Sequence, residues 1–445
     1  MSKRIAIIGA GFSGITLGKS LTARGIDYTC YEMSDVIGGN WAFGNRNGRS
    51  AAYRSLHIDT SKEKLQFDDF PMPADYPVFP HHTQLFAYLN AVVDHFDLRR
   101  RIVFNTAVER AALQADGGWR LTLSNGEQAA FDYLAVANGH HWDPRYPDFP
   151  GQFSGNTLHA HAYIDPFDPV DMRGKRVLVV GIGNSAVDIA AELSNRGLAS
   201  RLVVSTRHGA YVLPKFIFGR PIDQVVETIP GIPLAWQRRL GAAVMRVAVG
   251  SMTAYGLPQP DHPFLSAHPT VSSEFAYKVG SGDITVKPNV AALDGDRVRF
   301  ADGTAEPFDV IIYATGYKIS FPFFDPDFLA APDNVLPLFK RVFKPGIHNL
   351  MFIGLAQVLP SIIKFVQVQA EFVAEYLAGT YALPALAEMA GAIERDARQH
   401  AGHYVNSPRH TMQVDHNLYA WELRRELARG RVRAARLHPA SIRTI

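Results

Sequence analysis

One pattern occurs twice in this chain and restricts its fold more than any other feature. A basic residue, a short β-branched run, a glycine-punctuated turn and a helix-forming stretch stand at Arg4–Ala23 and again at Lys175–Leu193. The first copy reads Arg4-Ile-Ala-Ile-Ile-Gly9, then Gly9-Ala-Gly11-Phe12-Ser13-Gly14. Ile5–Ile8 is short, apolar and β-branched, which suits a strand buried on both faces of a parallel sheet. Ile15–Arg24 has helical composition, Gly25 is placed to stop it, and Asp27–Glu32 reads as the next strand. The second copy runs Lys175-Arg-Val-Leu-Val-Val-Gly181, then Gly181-Ile-Gly183-Asn184-Ser185-Ala186. A helical stretch Val187–Leu193, a stop at Gly197 and a strand Arg201–Ser205 follow. Two such units predict an α/β fold with two dinucleotide-binding, Rossmann-like domains.

The glycines carry separate tasks. Gly9 allows the tight turn, Gly11 lets backbone approach a pyrophosphate, and Gly14 lets the helix pack on its strand. The helix N-terminus then offers free N–H groups and a positive dipole end to the phosphates. Glu32 lies 21 residues after Gly11, at the end of the second strand. A carboxylate there accepts from ribose hydroxyls and repels a 2′-phosphate, so the first site takes FAD or NAD. The alternative is a tight turn that binds nothing.

The second site differs at that position. It carries Val203-Val-Ser-Thr-Arg207-His208, with Arg207 24 residues after Gly183. A guanidinium can neutralise and doubly bond a 2′-phosphate, which predicts NADPH, with some use of NADH because a neutral His208 adds little charge. Ala186 replaces the third glycine.

Bulk properties remove other classes. Among 445 residues, 45 Lys and Arg face 42 Asp and Glu, a net charge of +3 that gives no reason to expect nucleic acid. The single cysteine, Cys30, cannot form an internal disulfide or a redox pair. That fits a reducing, cytoplasmic setting and excludes reductases that couple a flavin to a cysteine pair. The N-terminal apolar run is too short for a signal peptide. No stretch reaches the roughly 18 uninterrupted apolar residues of a membrane helix, and the segment around Gly241–Gly250 reads as amphipathic. Basic residues gather at Arg424, Arg425, Arg429, Arg431, Arg433, Arg436 and Arg443, as a solvated helix face or a membrane-surface contact. A homodimer is left open.

Elsewhere, Trp119–Leu123 and Phe131–Val136 read as strands flanking an Asn125-Gly126 turn. Asp309–Ala314 reads as a further strand, Pro322–Pro345 as loops, and the chain from Ser361 as largely helical. Two dinucleotide sites without a cysteine pair point to a flavoprotein reduced by NADPH.

Phe153-Ser-Gly155-Asn-Thr-Leu-His159-Ala-His-Ala-Tyr163 resembles the identifying segment of flavin-containing monooxygenases, and Tyr163 favours the heteroatom-oxygenating branch over Baeyer–Villiger enzymes. Gly38-Gly39-Asn40-Trp41 is similar to that family's second flavin-contacting turn. Gly183-Asn184-Ser185 with Asp188-Ile189 is similar to its NADP turn, and Ser205-Thr-Arg207 with Gly209 to its phosphate-binding stretch. Ala314-Thr315-Gly316-Tyr317 is similar to its interdomain linker. Phe352-Ile-Gly354-Leu and Gln413-Val-Asp415 extend the likeness almost to the C-terminus.

The resemblance implies an NADP domain, residues 171–305, inserted in an FAD domain formed by 1–170 and 306–445. It implies cofactor contacts from Gly9, Gly11, Phe12, Ser13, Gly14, Glu32, Gly39, Asn40, Trp41, Val108, Gly181, Gly183, Asn184, Ser185, Arg207, His208, Thr315, Gly316, Tyr317 and Gln369. His159 is implied to support NADP rather than to act as an acid or base. The implied chemistry starts with hydride transfer from NADPH. A flavin C4a-hydroperoxide then forms from O2 in a dry site and is attacked by a sulfide or amine.

One position departs from the family. Asn is usual near the flavin, and Tyr53-Arg-Ser-Leu-His57-Ile-Asp59-Thr60-Ser61-Lys62 sets Asp59 there. An amide donates a hydrogen bond, whereas an ionised carboxylate only accepts. Either Asp59 is protonated or a neighbour, His57 or Thr60, donates. Asp59 and Thr60 are therefore the candidate catalytic pair, and ketone oxygenation stays open. Two other classes are a flavin-dependent NADPH reductase, which leaves the Phe153–Tyr163 segment unexplained, and a non-catalytic dinucleotide sensor.

Overall fold

The structure is a computed structural model that describes residues 3–405, 407 and 411–437. The run Ile5–Ile8 is the central strand of a five-stranded sheet. Its strand order is Leu350–Phe352, Tyr133–Val136, Ile5–Ile8, Thr29–Tyr31, Ile102–Val103, and every pairing is parallel. The central position explains the composition: all four residues of Ile5–Ile8 are buried, and each large side chain that leaves water contributes about 1.5–3 kcal/mol. The helix Phe12–Thr22 packs on Ile362–Ala378 above this sheet.

The second sheet repeats the scheme. Its order is Thr285–Lys287, Arg201–Ser205, Arg176–Val180, Val310–Tyr313, Asn156–His159, again all parallel. The helix Asn184–Leu193 follows its glycine turn. The chain leaves the first sheet after Val136 and rejoins it at Leu350, so the second sheet is formed within that excursion. This sheet draws strands from Asn156–His159 and Val310–Tyr313, outside the 171–305 span.

One expectation is corrected. Trp119–Leu123 pairs antiparallel with Gln128–Phe131, and Tyr133–Val136 lies in the parallel sheet instead. Asp132 separates two environments: residues 128–131 are largely exposed, whereas Leu134, Ala135 and Val136 are fully buried. Pro322–Pro345 carries one short turn, Pro332–Asn334, and sends Phe324 and Phe328 onto the Trp119 ring. Beyond Ser361 the helices are Ile362–Ala378, Leu386–His403 and His416–Leu437.

The segment read as amphipathic belongs to the helix Leu234–Ala248, which buries Met245 and exposes Trp236, Leu240 and Val247. Among the C-terminal arginines, Arg431 pairs with Glu375 and Arg433 donates to the Ala382 carbonyl at 3.0 Å, so both reach neighbouring parts of the protein. Arg443 lies outside the described residues. Cys30 is buried in Thr29–Tyr31, and burial pushes its thiol pKa up. No helix among the described residues is long and apolar enough to cross a membrane.

Candidate functional site

Both glycine turns open onto one cavity of about 1970 Å³, roughly twice the upper end of the 300–1,000 Å³ usual for a single small-molecule site. At the first turn Gly9 has φ +100°, and an added Cβ would meet the Ala137 carbonyl oxygen at 2.8 Å. Gly14 is tighter: a Cβ there would stand 1.9 Å from the Gly9 carbonyl oxygen. Gly14 therefore packs the helix on the turn and does not line the cavity, while Gly9, Gly11, Phe12 and Ser13 do. The helix begins at Gly11 with no side-chain cap, so its first amides are free for a ligand. Gly39, Asn40 and Trp41 lie across the turn, where Gly38 bridges to Gly11. The Asn40 Oδ1 accepts from the Ala51 amide at 2.9 Å.

Glu32 follows the strand Thr29–Tyr31 and is 5% exposed. Its Oε2 accepts from the Ala10 amide at 2.8 Å and its Oε1 from Ser34 at 2.9 Å. Burial raises its pKa, and the amides of Ser34 and Ala10 oppose that rise. Each oxygen keeps a lone pair for a ribose hydroxyl.

The second turn matches the first. Gly181 has φ +127°, a Cβ would meet the Ala314 carbonyl oxygen at 2.5 Å, and the helix begins at Gly183 without a side-chain cap. Asn184 fixes the neighbouring loop by accepting from the Val271 amide at 3.0 Å. Gly181, Gly183, Asn184, Ser185, Arg207 and His208 all line the cavity, as do Val108, Thr315, Gly316 and Tyr317. Arg207 is exposed. His208 Nδ1 lies 2.8 Å from Asp261 Oδ2, so an anion shares this wall.

Asp59 and Thr60 line the same cavity. The Asp59 carboxylate meets Lys215 Nζ at 3.2 Å, with the two side chains 18% and 21% exposed. Burial raises the Asp59 pKa, and Lys215 opposes the rise. The Thr60 hydroxyl donates to the Pro360 carbonyl at 3.4 Å. His57 is not on the wall: its Nδ1 lies 3.0 Å from the Ser55 carbonyl oxygen and its ring packs on His81.

Gln369 does not reach the cavity. It is fully buried, accepts from the Gly354 amide at 2.9 Å and donates to the Arg341 carbonyl at 3.3 Å. Its amide instead holds Gly354, whose tight approach to Ser13 leaves no room for a Cβ. Gln369 therefore shapes the first turn from behind.

The Phe153–Tyr163 segment also has a structural reading. A Cβ on Gly155 would meet the Asp309 carbonyl oxygen at 2.6 Å. Tyr163 is fully buried and donates to Glu192 at 2.7 Å. His159 lines the cavity, and burial, helped by His161, pushes its pKa down to about 4, so it is neutral near pH 7. Sequence reasoning missed several wall residues. Arg49 stacks 3.6 Å above the Trp142 ring, and the buried Asn138 Oδ1 has no partner among the described residues. The two uncapped helix starts, the glycine cradles and this open acceptor fit two dinucleotides.

The flavin-binding monooxygenase-like family pattern matches residues 2–430. The chain belongs to the flavin-containing monooxygenase family. It is an FAD- and NADPH-dependent monooxygenase. Flavin-containing monooxygenase 5 of Rattus norvegicus is 36% identical over 438 residues, covering 93% of this chain and 80% of the relative. An N-oxide-forming dimethylaniline monooxygenase of the same organism is 36% identical over 455 residues, covering 96% and 83%. Among solved folds, S-allyl-L-cysteine S-oxygenase from Allium sativum aligns with a TM-score of 0.71 at 23% identity over 100% of this chain and 95% of its own. A steroid monooxygenase bound to NADP aligns at 0.70 and 17% identity over 97% and 98%. Both show the flavin monooxygenase fold, with its two Rossmann-like domains.

Proposed function

We propose that this monooxygenase inserts one atom of O2 into a soft nucleophile, the sulfur of a small sulfide or the nitrogen of a small amine. The observation that carries the reading is the single cavity shared by both glycine turns, Asp59 and Thr60. Tyr163 in the identifying segment and the N-oxide-forming relative at 36% identity support it.

When bound, the reduced flavin supplies the oxygen-activating chemistry that no side chain here can. The chain binds and orients. Gly9, Gly11 and the amides opening Phe12–Thr22 receive the FAD pyrophosphate, and Glu32 accepts from its ribose. Gly181, Gly183, Asn184 and Ser185 receive NADPH, with Arg207 on the 2′-phosphate. Asp59 and Thr60 would present polar atoms to a bound flavin from the cavity wall.

Residues 1–170 and 306–445 form the FAD unit on this reading. Residues 171–305 form the body of the NADPH unit, whose sheet is completed by Asn156–His159 and Val310–Tyr313. A cytoplasmic setting is part of the proposal and rests on the lone, buried Cys30.

The test is turnover of thioethers, tertiary amines and cyclic ketones with ¹⁸O2. The reading expects one labelled oxygen per NADPH consumed. Asp59 on the wall favours a second reading, ketone oxygenation, and label in a lactone without sulfoxide or N-oxide would establish it. Oxygen-independent reduction of an acceptor would overturn both.

A further inference from the structure

Asp59 is a carboxylate on the cavity wall with its side chain only 18% exposed, and a buried carboxylate needs a partner to remain charged. The partner comes from the other nucleotide unit. Lys215 follows the strand Val212–Leu213 and does not line the cavity, yet its Nζ lies 3.2 Å from Asp59 Oδ1. Its ammonium also sits 5.3 Å from the centre of the Phe79 ring, which limits where the chain can swing.

More groups close the arrangement from behind. Tyr53 donates to Asp188 Oδ2 at 2.6 Å, and Asp188 belongs to the helix that opens at the second glycine turn. Burial, followed by the Asp59 charge, raises the Asp188 pKa to about 7. Glu192 acts on Tyr53, Glu274 acts on Asp188, and His57 feels Lys215. This neighbourhood is rich in acids, and Lys215 is the cation that Asp59 meets in it.

We propose that Lys215 is a positioning residue of the oxygenating site: from behind the cavity wall, across the seam between the two nucleotide units, it holds Asp59 as an anion facing the flavin space. The proposal rests on the reading of this cavity as the FAD and NADPH site. The wall carries an acceptor with a fixed counter-charge, not a protonated acid that imitates an amide, and any donor at the reacting edge must come from elsewhere.

The test uses the FAD-loaded enzyme with Lys215→Met, Lys215→Arg, Asp59→Asn and the double variant Asp59→Asn/Lys215→Met. Without its cation, the Asp59 pKa climbs further above its unfolded value. The folded state then holds a proton that the unfolded state releases, so Lys215→Met should lose melting temperature as pH rises from 5 to 9 more steeply than wild type. The flavin absorbance should titrate over the same range, and NADPH consumed per product should rise several-fold. The steeper pH slope and the flavin titration should both vanish in the double variant, apart from any effect of the lost amine itself, and Lys215→Arg should behave as wild type in all three readouts.

An unchanged pH slope and spectrum in Lys215→Met, or a titration that survives in the double variant, overturns the proposal. Should Lys215→Met not accumulate, Asp59→Asn carries the test. An unpaired Lys215 then favours electron uptake, so the flavin midpoint potential rises in Asp59→Asn and falls back in the double variant; an unmoved potential overturns the idea. The melting slope does not depend on turnover. An enzyme that shows the slope but oxygenates nothing refutes the proposed function and spares this inference.

Discussion

At the first turn a buried carboxylate stands just past the neighbouring strand, and at the second the corresponding stretch ends in an exposed arginine and a histidine. The backbone beneath them is nearly the same. Gly9 and Gly181 have φ of +100° and +127°, and both helices begin at a glycine without a side-chain cap. Ile8 lies opposite Tyr31 in one sheet, and Val180 opposite Ser205 in the other. What changes is how the charge is kept. Glu32, inside the protein, is tied to two amides before any ligand arrives, as a buried anion must be. Arg207 stays in water until a phosphate displaces it. On the proposed reading, phosphate geometry is set by backbone, and the choice of nucleotide by one side chain at the edge.

The strongest test of that comparison concerns the third small residue of each turn. A Cβ on Gly14 would stand 1.9 Å from backbone oxygen, whereas the second turn already accommodates Ala186, fully buried. Gly14→Ala should weaken FAD uptake about 100-fold, near 3 kcal/mol, as the turn is forced open. Ala186→Gly should cost about 0.5–1 kcal/mol of helix stability and leave the KM for NADPH within about twofold. Flavin titration and steady-state kinetics read both, and equal losses at the two turns would break the analogy.

Next in size is the guanidinium. Arg207→Ala removes charge-assisted bonds worth about 1.5–3 kcal/mol. The kcat/KM for NADPH should fall about 100-fold, with that for NADH within about twofold. A parallel loss with both nucleotides would move the 2′-phosphate away from this residue.

Glu32→Gln should raise the FAD dissociation constant about tenfold, since an amide keeps one acceptor and loses the charge. Burial has raised the Glu32 pKa, so the ionised form disappears sooner than for an ordinary carboxylate as pH falls. Wild-type FAD affinity should therefore decline on acidification while Glu32→Gln stays flat, as fluorescence titration across pH would show.

The paired layout was legible because it rests on local rules. Four consecutive apolar residues announce a strand covered on both faces, and the glycines announce a turn that no Cβ permits. Residues joined through space were not legible. The partner of Asp59 lies at Lys215, in the other unit, with no period linking the two. The one available signal was the acid itself, since an anion in a cofactor pocket asks for a cation. Gln369, implied only by the resemblance, has partners that no local pattern announces: the Gly354 amide and the Arg341 carbonyl. The hairpin error at Phe131 came from a polar residue, Asp132, that ends one strand and starts another without a turn signal.

The smallest effect probes the wall that Arg207 shares. Asp261 is 2.8 Å from His208 Nδ1 and also meets His262 Nδ1 at 3.1 Å. Contacts with His262 first, and then His208, hold its carboxyl below the usual range, so it remains an anion throughout neutral pH. An anion on this wall offsets part of the field that Arg207 presents to a 2′-phosphate. Asp261→Asn should therefore tighten NADPH binding, with NADH unaffected. The groups are solvent-exposed, where such interactions contribute about 0–1 kcal/mol, so the gain should be about two- to fivefold at low salt. It should shrink towards nothing near 1 M salt, where the Debye length falls to about 3 Å. A loss of NADPH affinity instead would mean that Asp261 serves by orienting His208, and the second site would then rely on two side chains where the first relies on one.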